Sequence, residues 1–455
     1  MTAGGAEART PPDQGARPAL TDRRVLAIAL PIVLSNATIP ILGAVDTGVI
    51  GQLGDAAALG AVGLGAVILT SIYWVFGFLR MGTSGLVAQS RGAGDAVEEG
   101  AHLLRALVIA LVAGLGLVAL QGPLVHLAFS LAPASEGVEA LARDYLSIRI
   151  WGAPATIGLY GITGWLIAVE RTRAVLMLQL VINGTNIALD LWFVLGLGWG
   201  VKGVASATLI AEMGGLALGL WLARAALGAA WRGTGSAAVL FAHAKLRRFM
   251  GVNGNILVRS VLLQGSFTSF MFLAAGQGDV TLAANQVLMQ FLSFTSYGLD
   301  GFAFAAEALV GQAVGARDRA RLRRAVALTC KWGAIGGLAI SLAWLLAGPA
   351  IIDLLTRSPE IRAEARLYLP WLILAPAIGV ASYMLDGIFI GATRTGEMRN
   401  AMIVSVAVYA GLVAVLAPLM GNHGLWAALT VLNLLRALTL ARYWPRVLSA
   451  ADGNG

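Results

Sequence analysis

Long apolar runs, separated by short polar connections, make up almost the whole chain beyond residue 24. Each run is long enough to cross the hydrocarbon core of a bilayer as a helix, which takes about 20 residues. The approximate runs are 25–50, 58–88, 103–129, 140–168, 175–197, 202–226, 249–275, 281–312, 325–348, 365–391, 400–420 and 423–444. We therefore expect an all-α integral membrane protein with twelve transmembrane helices.

The two halves of the chain repeat each other. A shift of 223 positions lays GLVAQSRGAGDA over ALVGQAVGARDR without a gap. The shift aligns Gln89 with Gln312, Gly92 with Gly315, Tyr145 with Tyr368 and Arg171 with Arg394. Because each half holds an even number of predicted spans, both halves enter the membrane from the same face and form two parallel six-helix repeats. A duplicated bundle of this kind places its binding site at the interface of the halves.

The spacing of polar segments predicts five regions. A polar tail rich in proline and glycine, expected to be disordered, covers residues 1–22. The N-lobe follows at 23–227 and the C-lobe at 246–446, joined by a mobile linker at 228–245. A short tail occupies 447–455. The N-terminal tail is not expected to be a signal peptide, because its charges precede a full-length span.

Composition and charge support a membrane location. Hydrophobic residues are 58% of the chain and charged residues 12%, against about 25% charged in soluble domains. The arginines and lysines collect in alternate connections, with a mixed stretch at 353–366 as the exception. This is the positive-inside pattern, so we expect a multi-pass protein of the inner (plasma) membrane with both termini and the linker in the cytoplasm. The net charge of +8 therefore indicates topology rather than nucleic-acid binding. We expect a monomer in contact with lipid.

Metal and enzyme chemistry have little support. The chain has one cysteine and four histidines, and the histidines lack the mutual spacing of metal ligands. We also find no nucleotide motif and no nucleophile with a neighbouring base. The sequence predicts no metal site, no cofactor and no enzymatic activity.

An aspartate interrupts the first span. Asp46 lies in ALPIVLSNATIPILGAVDTGVIG, downstream of Pro31 and Pro40, which can bend the helix. An aspartate within a span costs about 2.5–3.5 kcal/mol, and burial of this kind makes protonation reversible near neutral pH. Asp46 is thus a candidate proton or ion carrier. The alternative is an aspartate near the span end, solvated or capping the turn at Gly51.

A second polar group occurs on the fifth span. In LVINGTNIALDLWFV, spacings of three and four place Asn183, Asn186 and Asp190 on one helical face. Thr208 on the next span offers a hydroxyl at similar depth, and Tyr145 is a weaker candidate for the same network. The alternative is that these groups only join neighbouring helices through hydrogen bonds.

The two acids of the N-lobe are not repeated in the C-lobe, although the sequence around them is. The shift of 223 positions aligns Asp46 with Ser269 and Asp190 with Val413. An acid with a purely architectural role would more plausibly recur in both halves. We therefore expect the N-lobe to be specialised for handling a proton or another cation.

The C-lobe holds further charges at membrane depth. We expect a polar site formed by Arg259, Asp300, Glu307 and Asp386, with Arg259 paired to Asp300 or Asp386. A static salt bridge between helices is an equally supported interpretation. Two other arginines, Arg80 and Arg149, lie nearer span ends and are expected to reach out to the membrane interface.

The eighth span also carries side chains suited to an apolar cavity. The candidates for lining it are Met289, Phe291, Phe294 and Tyr297. Ordinary helix packing explains the same spacing and is the alternative.

The first span, IALPIVLSNATIPILGAVDTGVIGQLGD, resembles that of multidrug and toxic compound extrusion (MATE) transporters, especially their DinF-like branch. GTSGLVAQSRGAGD, NGTNIALDLWFVLGLGWGVKGVASAT and DGIFIGATRTGEMRNAM extend the likeness over residues 22 to 445. The resemblance implies two lobes around a central cavity and alternating access. It also implies export of amphipathic, often cationic compounds in exchange for protons or sodium. By resemblance, Asp46, Asn186, Asp190 and Thr208 match the N-lobe network in which protonation is linked to drug release.

The coupling ion and the cargo have alternatives. The sodium-coupled NorM-like branch is expected to carry an acid in its seventh span, where this chain has Asn255, Arg259 and Gln264. This difference favours protons and leaves sodium open. The other candidate is a lipid-linked oligosaccharide flippase of the same superfamily. Such a carrier should line its cavity with several arginines, whereas here Arg259 alone is expected to be central.

Overall fold

The computed structural model describes residues 19–52, 54–131 and 134–452, and every regular element among them is a helix. The first half contains α1 (Asp22–Ala37), α2 (Ile39–Gly51), α3 (Ala56–Trp74), α4 (Phe78–Ala93), α5 (Ala96–Ala119), α6 (Gln121–Leu131), α7 (Glu136–Arg149), α8 (Ala153–Ala168), α9 (Thr172–Asp190) and α10 (Gly200–Thr234). The second half contains α11 (Ala237–Leu240), α12 (His243–Ala275), α13 (Asp279–Gly315), α14 (Arg319–Leu355), α15 (Pro359–Gly391), α16 (Thr395–Met420), α17 (Asn422–Ala441) and α18 (Trp444–Ala450).

The predicted spans are helical throughout. Ten helical stretches of the described chain are long and apolar enough to cross a membrane. The other two predicted spans carry more polar residues. One consists of α7, a 3-10 turn at 150–152 and α8, and the other is α13. The prediction of an all-α membrane protein with six spans in each half is confirmed.

The first span is divided into two helices. The side chain of Thr21 caps the start of α1 by accepting from the Arg24 amide. α1 ends before Thr38, and α2 begins with Pro40 in its first turn, where proline's missing N–H is tolerated. Pro31 lies inside α1 without ending it. The predicted bend therefore falls at Thr38.

The apolar core has separate parts. One cluster lies wholly within the N-lobe and includes Ile50, Ala61 and Val204. A matching cluster lies within the C-lobe and includes Phe270, Leu288 and Leu432. A third cluster joins the lobes, and its members come from α1, α4, α8, α13 and α15. The lobes are thus two packed bodies that share one apolar contact region.

The lobes close against each other at the end of the bundle where the arginine-rich connections lie. A Cβ on Gly92 would overlap the backbone carbonyl of Gln312, and a Cβ on Gly315 would overlap that of Gln89. Glycine is needed at both positions because α4 and α13 approach this closely. Each contact becomes the other when the chain is shifted by 223 positions. We call this arginine-rich end of the bundle the clasp end.

Hydrogen bonds at the clasp end show the same two-fold relation. Gln89 Nε2 donates to Gly391 O at 3.1 Å, and Gln312 Nε2 donates to Ala168 O at 3.0 Å. The shift of 223 positions converts one bond into the other. The sequence repeat thus corresponds to a two-fold axis that passes between α4 and α13.

Three predicted boundaries differ from the structure. The linker at 228–245 is mostly helical, since α10 runs to Thr234 and α12 begins at His243. It also packs on α5, where Arg105 Nε donates to the Leu240 carbonyl at 2.8 Å. The C-terminal tail overlaps α18, whose Val447 is fully buried. Apolar contacts hold both segments against the lobes. In the N-terminal tail Leu20 is already buried, and residues 1–18 lie outside the described part.

Candidate functional site

The polar face of α9 forms the centre of the N-lobe site. Asn183, Asn186 and Asp190 lie on this face, and all three side chains are buried. α9 ends at Asp190, and a π-helical turn follows at 191–196. Such turns interrupt α-helices frequently at functional sites. Here the turn begins directly after the carboxylate.

Asn186 bridges two carboxylates. With its amide nitrogen turned toward them, it donates to Asp46 Oδ1 at 3.1 Å and to Asp190 Oδ2 at 3.0 Å. Its oxygen then accepts from Thr208 Oγ1 at 3.0 Å. The four residues come from α2, α9 and α10, so the network joins three helices. The structure thus brings together the four residues that the resemblance matched to the coupling network.

The carboxyl groups of Asp46 and Asp190 lie close together, because both accept from the same Asn186 nitrogen. Two ionised carboxylates repel at this separation, whereas one shared proton makes the contact favourable. Asp190 is fully buried, and its Oδ1 has no hydrogen-bond partner among the described residues. The arrangement can therefore hold a proton and has an acceptor left over.

The orientation of the Asn186 amide depends on that proton. Two ionised carboxylates require the amide nitrogen to face them. In the opposite orientation the nitrogen donates to Thr208 Oγ1, while Thr208 donates to the Val204 carbonyl at 2.9 Å. The amide oxygen then faces Asp46 and Asp190, and one of these must donate a proton to it. The network thus has two hydrogen-bonding states that differ in protonation.

Asn183 acts at a different point from Asn186. Its Nδ2 donates to Thr38 Oγ1 at 3.0 Å, at the break between α1 and α2. Its Oδ1 accepts from Gln179 Nε2 at 2.8 Å. Asn183 therefore shares the predicted face of α9 but does not contact the carboxyl pair, and its part in coupling stays a prediction. It connects the break in the first span to Gln179, one turn away on α9.

Tyr145 lies near the network but forms no hydrogen bond with Asp46 or Asp190. Its ring packs against Gly65, where a Cβ would meet the ring carbon Cδ1. The predicted direct participation of Tyr145 is therefore not seen. Its buried ring instead fills the space between α3 and α7.

A cavity of about 640 Å³ lies between the lobes. Gln179 lines it, whereas Asp46 and Asp190 are not among the described residues around it. The lining includes Asn36, Trp74, Arg80, Tyr160 and Glu212 from the N-lobe and Arg259, Gln264, Tyr297, Asp300 and Tyr383 from the C-lobe. The position between the halves is the one that the duplication predicted.

Most charges around the cavity are paired. Asp386 binds two arginines, Arg259 and Arg436, with the Arg436 Nη2–Asp386 Oδ2 distance at 2.6 Å. Arg80 pairs with Glu307 at 3.3 Å, and its guanidinium lies 3.8 Å from the centre of the Phe304 ring. The expected partnership of Arg259 with Asp386 is present. The expected reach of Arg80 toward the interface is wrong, because a carboxylate and an aromatic face hold it inside.

Arg149 is likewise internal. It is buried, and it binds Glu212 through two nitrogens at 2.7 and 3.1 Å. Thr156 Oγ1 donates to the same carboxylate at 2.9 Å. The bidentate pair offsets the cost of burying both charges, so Arg149 does not extend to the membrane interface.

Asp300 differs from the other charged groups of the cavity. It lines the cavity on α13 but forms no hydrogen bond or ion pair with a described residue. Glu307, seven positions further along, lines the same cavity and is engaged by Arg80. The two acids thus share the predicted face but have different surroundings.

Three of the four predicted cavity residues lie elsewhere. Tyr297 lines the cavity, but Met289 and Phe291 pack in the core of the C-lobe. Phe291 is edge-on to the Trp344 ring, with centroids 4.7 Å apart. Phe294 is 44% exposed on the outer surface. A long helix touches the cavity with only part of one face, and the aromatic spacing alone does not show which part.

Sequence reasoning overlooked Gln179, Glu212 and Arg436. Gln179 precedes Asn183 by one turn, and Glu212 follows Thr208 by one turn. Helical spacing from the predicted polar residues was therefore a usable signal for both. Arg436 had no local signal, because its partner Asp386 lies 50 positions away.

The sequence matches a known family model and several known proteins. The family model MatE matches residues 31–192 and 256–419. The chain is 42% identical over 436 residues to DNA damage-inducible protein F of Escherichia coli (strain K12), covering 94% of this chain and 92% of that protein. It is 30% identical over 312 residues to a probable multidrug resistance protein NorM of Bradyrhizobium diazoefficiens, covering 66% and 65%.

Solved structures show the same fold. A multidrug resistance MATE family transporter of the MOP superfamily, in an outward-facing conformation, matches with a TM-score of 0.83. The match covers 95% of this chain and 96% of that one, at 20% sequence identity. A MATE structure in the bent conformation matches with a TM-score of 0.84 and the same coverage.

Two helical lobes around a shared cavity, together with these matches, identify a multi-pass membrane transporter rather than an enzyme. The chain belongs to the MatE family, that of the multidrug and toxic compound extrusion transporters. The predicted resemblance to this family and to its DinF-like branch is confirmed.

Proposed function

We propose that this transporter exports amphipathic cationic compounds in exchange for protons by alternating access. The observation that carries the proposal is the pairing of Asp46 and Asp190 through Asn186, whose amide nitrogen lies 3.1 and 3.0 Å from the two carboxylates. Acids at membrane depth are costly and are kept where a proton or ion must bind. A pair that shares one proton can release it and take it up again as the surroundings change.

A change of protonation at the carboxyl pair would be transmitted to the cavity along α9. Asn186 holds the carboxyl pair, and Asn183 holds the break at Thr38. Gln179, hydrogen-bonded to Asn183, lines the cavity. Protonation removes the charge that draws the Asn186 amide toward the carboxylates and so releases α2 from α9. The break at Thr38 then shifts, and the shift reaches the cavity through Gln179.

The closed clasp end supports an outward-facing state. By the positive-inside rule the arginine-rich connections lie in the cytoplasm, so the contacts of Gly92 and Gly315 would seal the cavity from that side. Protons entering from outside would neutralise the carboxyl pair and favour release of cargo. The inward-facing state would require α4 and α13 to separate.

The coupling ion is best tested in proteoliposomes. Purified protein is reconstituted, and uptake of a fluorescent cation is measured with a proton gradient in sodium-free buffer, then with a sodium gradient at equal pH. We expect exchange driven by protons in the first condition and little in the second. Exchange driven only by the sodium gradient would show that sodium, not the proton, is the coupling ion. No exchange under either gradient would refute antiport.

A flippase has less support from this cavity. Three arginines line it rather than the one expected, so that prediction is wrong. All three are paired with carboxylates, Arg80 with Glu307 and the other two with Asp386. A pyrophosphate would have to displace those carboxylates before it could bind.

A further inference from the structure

We propose that Asp300 is the cation-binding group of the central cavity, and that it receives the positive charge of a singly charged, amphipathic substrate. The inference rests on the proposed function and names the subsite that the cargo would occupy. It also separates the cargo site from the proton site, because Asp46 and Asp190 do not line this cavity.

The acids that line the cavity differ in whether they are paired with an arginine. The other acids lining the cavity already have partners: Glu212 binds Arg149, Glu307 binds Arg80, and Asp386 binds Arg259 and Arg436. Asp300 is the acid of this lining without a hydrogen bond or ion pair to a described residue. A carboxylate left in a largely apolar cavity gains more from a cation than one exposed to bulk water, because screening there is weaker.

The surroundings of Asp300 suit an organic cation. The face of α13 that lines the cavity presents Tyr297 and Phe304 on either side of Asp300, at spacings of three and four. Tyr383 faces it from α15, with its hydroxyl hydrogen-bonded to Ser296 at 2.5 Å. Aromatic faces bind cations and also supply apolar contact area. Arg80 already covers the ring of Phe304, which leaves the two tyrosines for the ligand.

The neighbouring charges favour a single positive charge on the ligand. Arg80, Arg259, Glu307 and Asp386 line the same cavity as Asp300, and neither arginine forms an ion pair with it. The two arginines would repel a second positive charge, while Glu307 and Asp386 are already engaged. We therefore expect monocations to bind more tightly than dications of similar size, and neutral analogues to bind without using Asp300.

The test is equilibrium binding to purified protein in detergent, which requires no gradient. Binding of tetraphenylphosphonium is compared with that of a neutral aromatic probe of similar size for the wild type and Asp300→Asn. The matched control is Asp279→Asn, the same change at the start of the same helix and outside the cavity lining. We expect Asp300→Asn to weaken binding of the cation at least tenfold and of the neutral probe less than twofold. Asp279→Asn should bind both as the wild type does.

A folding defect in Asp300→Asn would show as weaker binding of both probes. Asp300→Glu then decides, because it keeps the charge and should bind the cation within about threefold of the wild type. The inference would be overturned if Asp300→Asn bound the cation as tightly as the wild type does. It would also be overturned if Asp300→Glu lost as much cation affinity as Asp300→Asn does. A wild type that binds and exchanges no cation would refute the proposed function itself, a result distinct from any difference between variants.

Discussion

The two lobes join the same pair of helices at the same point but with different side chains. In the N-lobe, Asn186 bridges the carboxyl groups of Asp46 and Asp190. The residue aligned with Asn186 is Tyr409, whose hydroxyl lies 3.3 Å from that of Ser269, the residue aligned with Asp46. The same pair of helices is thus joined at the same point by neutral hydroxyl groups. Only the N-lobe version contains carboxyl groups, which the proposed proton exchange requires.

The cavity shows the reverse distribution. Three of its C-lobe charges have uncharged counterparts in the N-lobe that line the same cavity. The shift of 223 positions aligns Arg259 with Asn36, Asp300 with Gly77 and Asp386 with Thr163. The N-lobe thus holds the carboxyl pair, and the C-lobe supplies most of the charges that line the cavity. The clasp end, by contrast, has two-fold related contacts from both lobes.

The largest expected effect distinguishes the carboxyl pair of the N-lobe from the hydroxyl pair at the matching place in the C-lobe. Asp190→Asn should abolish proton-driven exchange, because a neutral amide cannot take up and release the proton. The expected loss is more than a hundredfold, measured as substrate uptake into proteoliposomes with an imposed proton gradient. Ser269→Ala, at the C-lobe position aligned with Asp46, should retain at least half of the wild-type rate. Full exchange by Asp190→Asn would contradict the assignment of the proton to this pair.

The next effect concerns stability in the C-lobe. Asp386→Asn leaves Arg259 and Arg436 buried without their carboxylate, and breaking a buried pair in this way costs about 3–5 kcal/mol. We expect a clear fall in the thermal unfolding temperature, measured by the fluorescence of intrinsic tryptophans in detergent. Asp353→Asn, which removes a more exposed partner of Arg366, should change it little. Equal effects of the two substitutions would mean that the buried cluster does not hold the lobe together.

A third effect tests the symmetry of the clasp end. Gly92→Val and Gly315→Val each place side-chain atoms where the opposite helix backbone lies. Both should favour the inward-facing state about tenfold or more, and by similar amounts. Gly116→Val, whose surroundings leave room for a side chain, is the matched control.

The measurement uses one reporter cysteine. Cys330 is replaced by serine, and Gln264, which lines the cavity, by cysteine. Labelling by a membrane-impermeant maleimide in inside-out vesicles then reports access from the cytoplasm. Unchanged labelling in both valine variants would show that these contacts do not hold the cavity closed.

The smallest effect lies in the connection after α8. Burial alone would raise the pKa of Glu170, but hydrogen bonds from Arg24 and its charge lower it below the ordinary carboxyl value. The ion pair lies within the N-lobe and holds Arg24, whose Nη2 also donates to Gln312 Oε1 of the C-lobe at 3.4 Å. It therefore supports closure at every pH above that ordinary value and is lost only as the pH falls through the lowered pKa. Glu170→Gln should raise the labelling described above less than fivefold, equally at pH 6 and pH 8. If labelling of the wild type depended strongly on pH between 6 and 8, and Glu170→Gln removed that dependence, the pKa of Glu170 would be raised rather than lowered.

Local patterns were enough to predict part of the site. The face of α9 follows from spacings of three and four, and apolar length predicted the spans. The pairs Arg80–Glu307 and Arg149–Glu212 could not be predicted, because each joins segments far apart in sequence. The prediction that the aromatic residues of α13 line the cavity was mostly wrong for a related reason. Which face of a long helix meets a cavity depends on how the neighbouring helices pack.

The linker illustrates a further limit. Its glycines and arginine resemble a mobile connection, yet Gly233 packs closely against Val97 and the helix of α10 continues to Thr234. Composition describes the tendency of an isolated segment. Contacts with the rest of the protein decided its structure here.

Proton release on cargo binding tests the central claim most directly. Tetraphenylphosphonium is added to purified protein in weakly buffered detergent solution near neutral pH, and a pH indicator dye records the protons released per cation bound. The account predicts release by the wild type, and none by Asp46→Asn or Asp190→Asn, even where these variants still bind the cation. Equal release by both variants and the wild type would contradict it, because the proton would then come from other groups.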